Sequence, residues 1–91
     1  MKAIRVLEPG GPEVLRISEV PAPEPKAGEL LVRIKAAALN RADLMQRRGL
    51  YPPPEGATDI LGLEMAGEIE QIGEGVSGWS PGDRVCALLP G

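Results

Sequence analysis

The sequence has no histidine and a single cysteine, Cys86. These absences exclude a histidine-based catalytic triad, a His-ligated metal, an internal disulfide and a cysteine-rich zinc site. Phenylalanine is also missing, and Tyr51 and Trp79 are the whole aromatic complement. A core must therefore come from the 23 leucines, isoleucines and valines among 91 residues. That share stands above the roughly 20% floor below which chains stay unfolded. No apolar run approaches the ~18 residues of a membrane span. The start, Met1-Lys2-Ala3-Ile4-Arg5, lacks the apolar stretch of a signal peptide, and the expected setting is cytoplasmic. Net charge is −3, with no basic cluster beyond Arg41, Arg47 and Arg48, which argues against a nucleic-acid surface. An enzyme of this size without histidine must borrow its chemistry from a cofactor.

What the chain does have is punctuation. Twelve glycines and ten prolines divide it into short segments. Lys2 to Glu8 alternates around Ile4 and Val6, which predicts a strand. Pro9-Gly10-Gly11-Pro12 forces a turn. Val14 to Val20 alternates again, with Leu15 and Ile17 on one face. The two runs read as an antiparallel pair. Pro21, Pro23 and Pro25 suit an extended connector, because each fixes φ and removes an N–H donor. Glu29 to Ala38 is the clearest strand, with Leu30, Val32, Ile34 and Ala36 on one face.

A short helix follows. Asn40 is a good N-cap, and Asp43 three positions on returns a bond to the cap's own N–H. Leu39 and Leu44 sit at the two positions of a hydrophobic staple. Arg47 and Arg48 fall in the last turn, where the helix dipole favours cations, and Gly49 is a natural stop. Leu50 to Gly56, with three consecutive prolines, reads as a surface loop carrying Tyr51. Met65 to Ile72 reads as a strand. Gly67 inside it signals a bulge or a close backbone approach. Ile69 and Ile72 are three apart, which breaks the alternation and again points to a bulge. Gly73 to Gly82 is turn-rich, and Arg84 to Leu89 is the last strand. Five strands and one short helix make a mainly β fold, a small, partly open β-barrel.

Several residues have chemistry to weigh. Gly73-Glu74-Gly75-Val76-Ser77-Gly78 matches the spacing of a dinucleotide fingerprint, but that motif must open a helix. Pro81 would lie inside such a helix, so the segment reads as a turn. Asn40 and Asp43 have a structural explanation as caps, and a capped helix end can also present polar groups to a ligand. Tyr51 is a phenol on a stiff loop, suited to donate to a carbonyl oxygen. Glu64, between Leu63 and Met65, is expected to be partly buried and paired with Arg41, Arg47, Arg48 or Arg84. Cys86 reads as a small core filler, and Trp79 as a turn anchor over one barrel end.

Several stretches, in order along the chain, resemble one family. They are Met1-Lys2-Ala3-Ile4 with Gly10-Gly11-Pro12-Glu13, then Ala38-Leu39-Asn40-Arg41-Ala42-Asp43, then Gly49-Leu50-Tyr51-Pro52. Gly62-Leu63-Glu64 with Gly67, and Gly82-Asp83-Arg84-Val85, complete the set. Together they resemble zinc-free NADPH:quinone oxidoreductases of the medium-chain dehydrogenase/reductase superfamily. The resemblance implies that residues 1–91 are the N-terminal, substrate-side domain, a GroES-like partly open β-barrel truncated before its end. The family's Rossmann domain, which binds most of NADPH and makes the homodimer, is then missing from this chain. The hydride passes directly to a quinone, without flavin.

The zinc-dependent branch places a cysteine where this chain has Asn40 and a histidine where it has Leu63. It often places a hydroxyl residue where this chain has Ala42. Leucine and alanine cannot hold zinc and asparagine is a poor ligand, so the resemblance implies no metal. Carried over by position, Asn40, Asp43 and Tyr51 line the active cleft: Asn40 near the nicotinamide or quinone, Asp43 orienting that corner, Tyr51 donating to the quinone oxygen. Met45 stands where some relatives have a second tyrosine and lines an adaptable apolar wall. Glu64 lies where the zinc branch has a residue behind the metal. Two alternatives stay open: a zinc-free reductase of enones or enoyl thioesters, and a non-catalytic GroES-like binding module. On the family reading, the strand from Arg84 presents an unpaired edge.

Overall fold

In a computed structural model, which describes residues 1–90, the two alternating runs at the start form a hairpin. Strand β1 (Lys2–Val6) pairs antiparallel with β2 (Leu15–Glu19), with Ile4 opposite Ile17. Pro12 begins a 3-10 turn at Pro12–Val14, so β2 starts at Leu15 rather than Val14. A proline suits the first position of such a turn, whose N–H would be unpaired anyway. The expected inside and outside are not kept. Ile4 and Ile17 are exposed, while Arg5 is half-buried. This hairpin is a sheet of its own, and no further strand covers the face on which the two isoleucines meet.

The second sheet has the order β3-β4-β5, all antiparallel. Its strands are β3 (Leu30–Ala37), β4 (Glu64–Ile72) and β5 (Arg84–Leu88). The β3–β4 ladder carries two register shifts, between Leu31 and Val32 and between Ile34 and Ala36. At the first, Glu70 of β4 is the extra residue; at the second, Lys35 of β3 is. The broken spacing of Ile69 and Ile72 thus reports a real bulge. Gly67 lies opposite Ile34, and a Cβ there would fall on the Arg33 carbonyl oxygen. The close approach expected from a glycine in that strand is present.

Helix α1 (Arg41–Arg47) joins β3 to the loop before β4. Its end is a Schellman motif. Gly49 takes φ +79°, its N–H bonds to Gln46 O at 3.0 Å, and Leu50 N–H reaches back to Met45 O at 2.8 Å. The staple expected at its start is not formed, because Leu39 is 96% exposed. Ile69, at 3% exposure, is the one buried hydrophobic among the described residues. Two open sheets around one short helix leave little interior, as a small aliphatic chain predicts. No described helix is long and apolar enough to cross a membrane.

Three further expectations are corrected. Cys86 is exposed, because β5 is an edge strand and its residue 86 faces away from the interior. Trp79 is exposed in the turn after β4 and covers no end of a barrel. Glu64 is half-buried but forms no ion pair among the described residues. Arg84 lies opposite Glu68, at the other end of the β4–β5 ladder, while Arg47 is committed elsewhere. The glycine-rich segment is a turn, with Gly75 and Gly78 at positive φ and no helix after it.

Candidate functional site

The start of α1 is where the polar residues gather. Asn40 is extended, with φ −126° and ψ 156°, as an N-cap must be. Asn40 and Asp43 face each other as a capping box. Its closed arm is Asp43 Oδ2, which accepts the Asn40 N–H at 2.8 Å. The Asp43 N–H bonds to the Asn40 carbonyl at 3.0 Å. Asp43 is 8% exposed, unusually buried for a carboxylate.

Three buried polar atoms here have no hydrogen-bond partner: Asn40 Nδ2, Asp43 Oδ1 and Gln46 Oε1. They recur every three residues and so share one side of the helix. Each such atom costs about 1–3 kcal/mol when buried unpaired. Their concentration in one stretch makes it the least satisfied polar region among the described residues. One of them is a donor and two are acceptors.

Asp43→Ala removes the closed arm of the box. The expected loss is about 1 kcal/mol of stability, read as a lower urea midpoint followed by circular dichroism. Asp43→Asn, which keeps an acceptor oxygen for the Asn40 N–H, should recover most of it.

Two clefts flank this helix start. The first, about 440 Å³, lies between the hairpin and α1. Ile4, Leu15, Ile17 and Leu61 form its apolar wall, and Asp43 and Arg47 supply charge. The second, about 470 Å³, runs over the β3-β4-β5 sheet past Ala36, Glu64, Ala66, Cys86 and Leu88. Ala37 and Ala38 border both. The structure therefore joins Asn40 to Asp43 directly and places Glu64 in the neighbouring groove. Met45 is half-buried in α1, and Tyr51 is exposed on its loop. Neither borders either cleft, and of the capping pair only Asp43 does; Asn40 stands behind it.

Arg47 is the residue whose place the pattern did not reveal. It is as buried as Asp43, at 8% exposure. Its Nε donates to Gly10 O at 3.1 Å, and its own carbonyl accepts the Gly10 N–H at 3.0 Å. A Cβ on Gly49 would stand 3.1 Å from the Pro9 ring, so helix end and hairpin turn are in close contact. Gln46 Nε2 donates to Asp59 O at 3.0 Å, and Arg5 pairs with Asp59 at 3.2 Å. These bonds fix the helix between the hairpin and the loop that leads to β4. Four-residue spacing puts Asp43 and Arg47 on one side of α1, the only trace of this arrangement in the sequence.

Among the described residues no three acidic, cysteine or histidine side chains cluster as a metal site would require. Residues 26–90 match the alcohol dehydrogenase GroES-like domain. Over 89 residues the chain is 44% identical to an acryloyl-coenzyme A reductase of Metallosphaera sedula, covering 98% of this chain and 26% of that protein. It is 41% identical over 86 residues to a quinone oxidoreductase of Rattus norvegicus, covering 93% and 26%. The solved structure of Escherichia coli quinone oxidoreductase complexed with NADPH superposes with a TM-score of 0.87 at 38% identity. That match covers 98% of this chain and 27% of the other. The chain spans about a quarter of the length of the relatives it matches.

Proposed function

The chain belongs to the alcohol dehydrogenase GroES-like domain family, and from that premise we propose that residues 1–91 are the substrate-side domain of an oxidoreductase that passes a hydride from NADPH to a quinone without a metal. NADPH supplies the hydride; this chain binds and orients. The observation that carries the reading is the orphan pair at the start of α1. Asn40 Nδ2 is an unused donor and Asp43 Oδ1 an unused acceptor, three residues apart at the capped start of α1. One donor and one acceptor are what a primary carboxamide, the group that nicotinamide carries, asks for. On this reading Asn40 and Asp43 hold that corner of the cleft, and Tyr51 donates to the quinone oxygen. Met45 and Glu64 border the substrate. A quinone carbonyl is already electrophilic, so orientation and a few hydrogen bonds suffice. Leu63 and Ala42 offer no atom that ligates zinc.

The pyrophosphate site and the homodimer contacts belong to a Rossmann domain outside these residues, so the 91-residue chain alone does not turn over NADPH. A second reading rests on the 44% identity to an acryloyl-coenzyme A reductase, and makes the acceptor an enoyl thioester.

Steady-state kinetics of the full-length enzyme separate the two. Quinones should be the better acceptors, and Asn40→Ala should lower kcat/KM by about 10²-fold. A clear preference for enoyl thioesters would sink the quinone assignment. Elemental analysis of the purified enzyme should find no zinc; one zinc per chain refutes the metal-free mechanism.

A further inference from the structure

The loop that carries Tyr51 leaves helix α1 and comes back to it. At its start the Leu50 N–H bonds to Met45 O at 2.8 Å, so the end of the helix fixes the outgoing arm. Pro52, Pro53 and Pro54 then set three successive φ angles and stiffen that arm. The chain reverses between Pro54 and Ala57. There the Ala57 N–H bonds to Pro54 O at 3.0 Å and Gly56 takes φ +83°, as the third residue of a type II turn must. On the returning arm the Thr58 hydroxyl accepts the Ile60 N–H at 3.2 Å. Between those two residues the Asp59 carbonyl accepts Gln46 Nε2 at 3.0 Å. Both arms are thus tied to the last turn of α1, at Met45 and at Gln46, as in the neck of an Ω-loop. The hairpin adds weaker ties to the same arm. Leu61 N–H reaches Ile4 O at 3.4 Å, and the ion pair of Arg5 with Asp59 is exposed and contributes little.

We propose that Gln46 is a positioning residue. It latches the returning arm against α1, and through the stiff prolines this fixes the direction in which Tyr51 leaves the helix. The proposal deepens the reading above, in which Tyr51 donates to the acceptor oxygen, and rests on it. With the latch open, Gly49 is the natural pivot, since it has φ +79° and no side chain. The proline arm, with Tyr51 at its base, then swings as one piece. The bond from Gln46 is exposed, so water replaces it when it breaks. It therefore governs local opening rather than global unfolding. A bond of this kind is worth about a factor of five in an opening equilibrium.

Amide exchange and steady-state kinetics of the full-length enzyme test this with Gln46→Met. That variant keeps an unbranched, helix-favouring side chain and loses the donor. Exchange at Ala57, Ile60 and Leu61 should quicken about five-fold, with no change in β3, in β4 or in Tm. KM for the quinone should rise about two- to five-fold at unchanged kcat, the mark of lost uniform binding. Gln46→Lys, which again offers a donor, should restore both. In a Tyr51→Phe background Gln46→Met should add nothing to KM, because the latch acts through the phenol. Unchanged exchange overturns the latch, whichever acceptor the enzyme prefers. So does a KM effect that persists in the Tyr51→Phe background, or a loss that Gln46→Lys does not repair. Quickened exchange, with Tyr51→Phe as active as the wild type, overturns the role of the phenol and the positioning claim with it. Should Gln46→Met lose its folded spectrum, Gln46→Glu, of the native shape and without the donor, takes its place.

Discussion

Replacing Gly67 by alanine is expected to cost about 3 kcal/mol or more. The added methyl would fall on the Arg33 carbonyl oxygen, 2.9 Å from Arg33 C and 2.9 Å from Val32 Cγ1. Two of those three atoms are backbone, so no side-chain rotation relieves the clash. The strands must part in the middle of the β3–β4 ladder, next to Ile69, the one buried hydrophobic. Domains of this size hold only roughly 5 kcal/mol of stability, so most of it is lost. Urea titration with circular dichroism reads the effect. Gly75→Ala is the comparison: it has φ +81° and open space around a Cβ, and costs only the left-handed backbone penalty of about 1 kcal/mol. If Gly67→Ala unfolds at the wild-type midpoint, the strands do not approach as closely as described.

Arg47→Ala is expected to cost about 2 kcal/mol, with the loss concentrated in the hairpin. The variant removes a charge-assisted hydrogen bond to Gly10 O and the buried stem that packs there. The main-chain bond from Gly10 to residue 47 remains, which caps the effect. Amide hydrogen exchange is the measurement that distinguishes this from general destabilisation. Protection should fall in β1 and β2 and hold in β3, β4 and β5, because the hairpin shares no ladder with that sheet. An even fall across all five strands contradicts the claim that Arg47 ties one unit to the other.

The elements themselves were legible because each is set by neighbours in the chain. All five strands lie within two residues of where the sequence puts them at either end, three of them marked by alternation, and Asn40 and Gly49 mark where the helix lies. Prolines and glycines fixed the turns for local reasons that no tertiary contact overrides. Gly67 announced a close approach because a side chain is missing where one is expected.

Burial is less legible in the sequence, since it depends on what lies opposite. Ile4 and Ile17 alternate as core residues do, but their sheet has only two strands and its face stays open. Cys86 sits in an apolar run, yet that run is an edge. Arg47 reads as a cation at a helix end; only the arrival of the Gly10 turn makes it a buried tie. The site divides the same way. Asn40 and Asp43 were found because capping joins them over three residues. Tyr51 and Met45 were placed by family position, and nothing within these residues brings them to the same cleft.

The two bulges of the β3–β4 ladder have opposite senses. Glu70 adds a residue to β4 and Lys35 adds one to β3. Between them the strands run one step out of phase; outside them the phase is common again. Deleting Glu70 or Lys35 alone would therefore restore one-to-one pairing at that bulge and leave the faces on both flanks as they are. Each bulge is thus a joint that takes up one residue without turning the sheet over, and the one at Lys35 lies only five positions before Asn40.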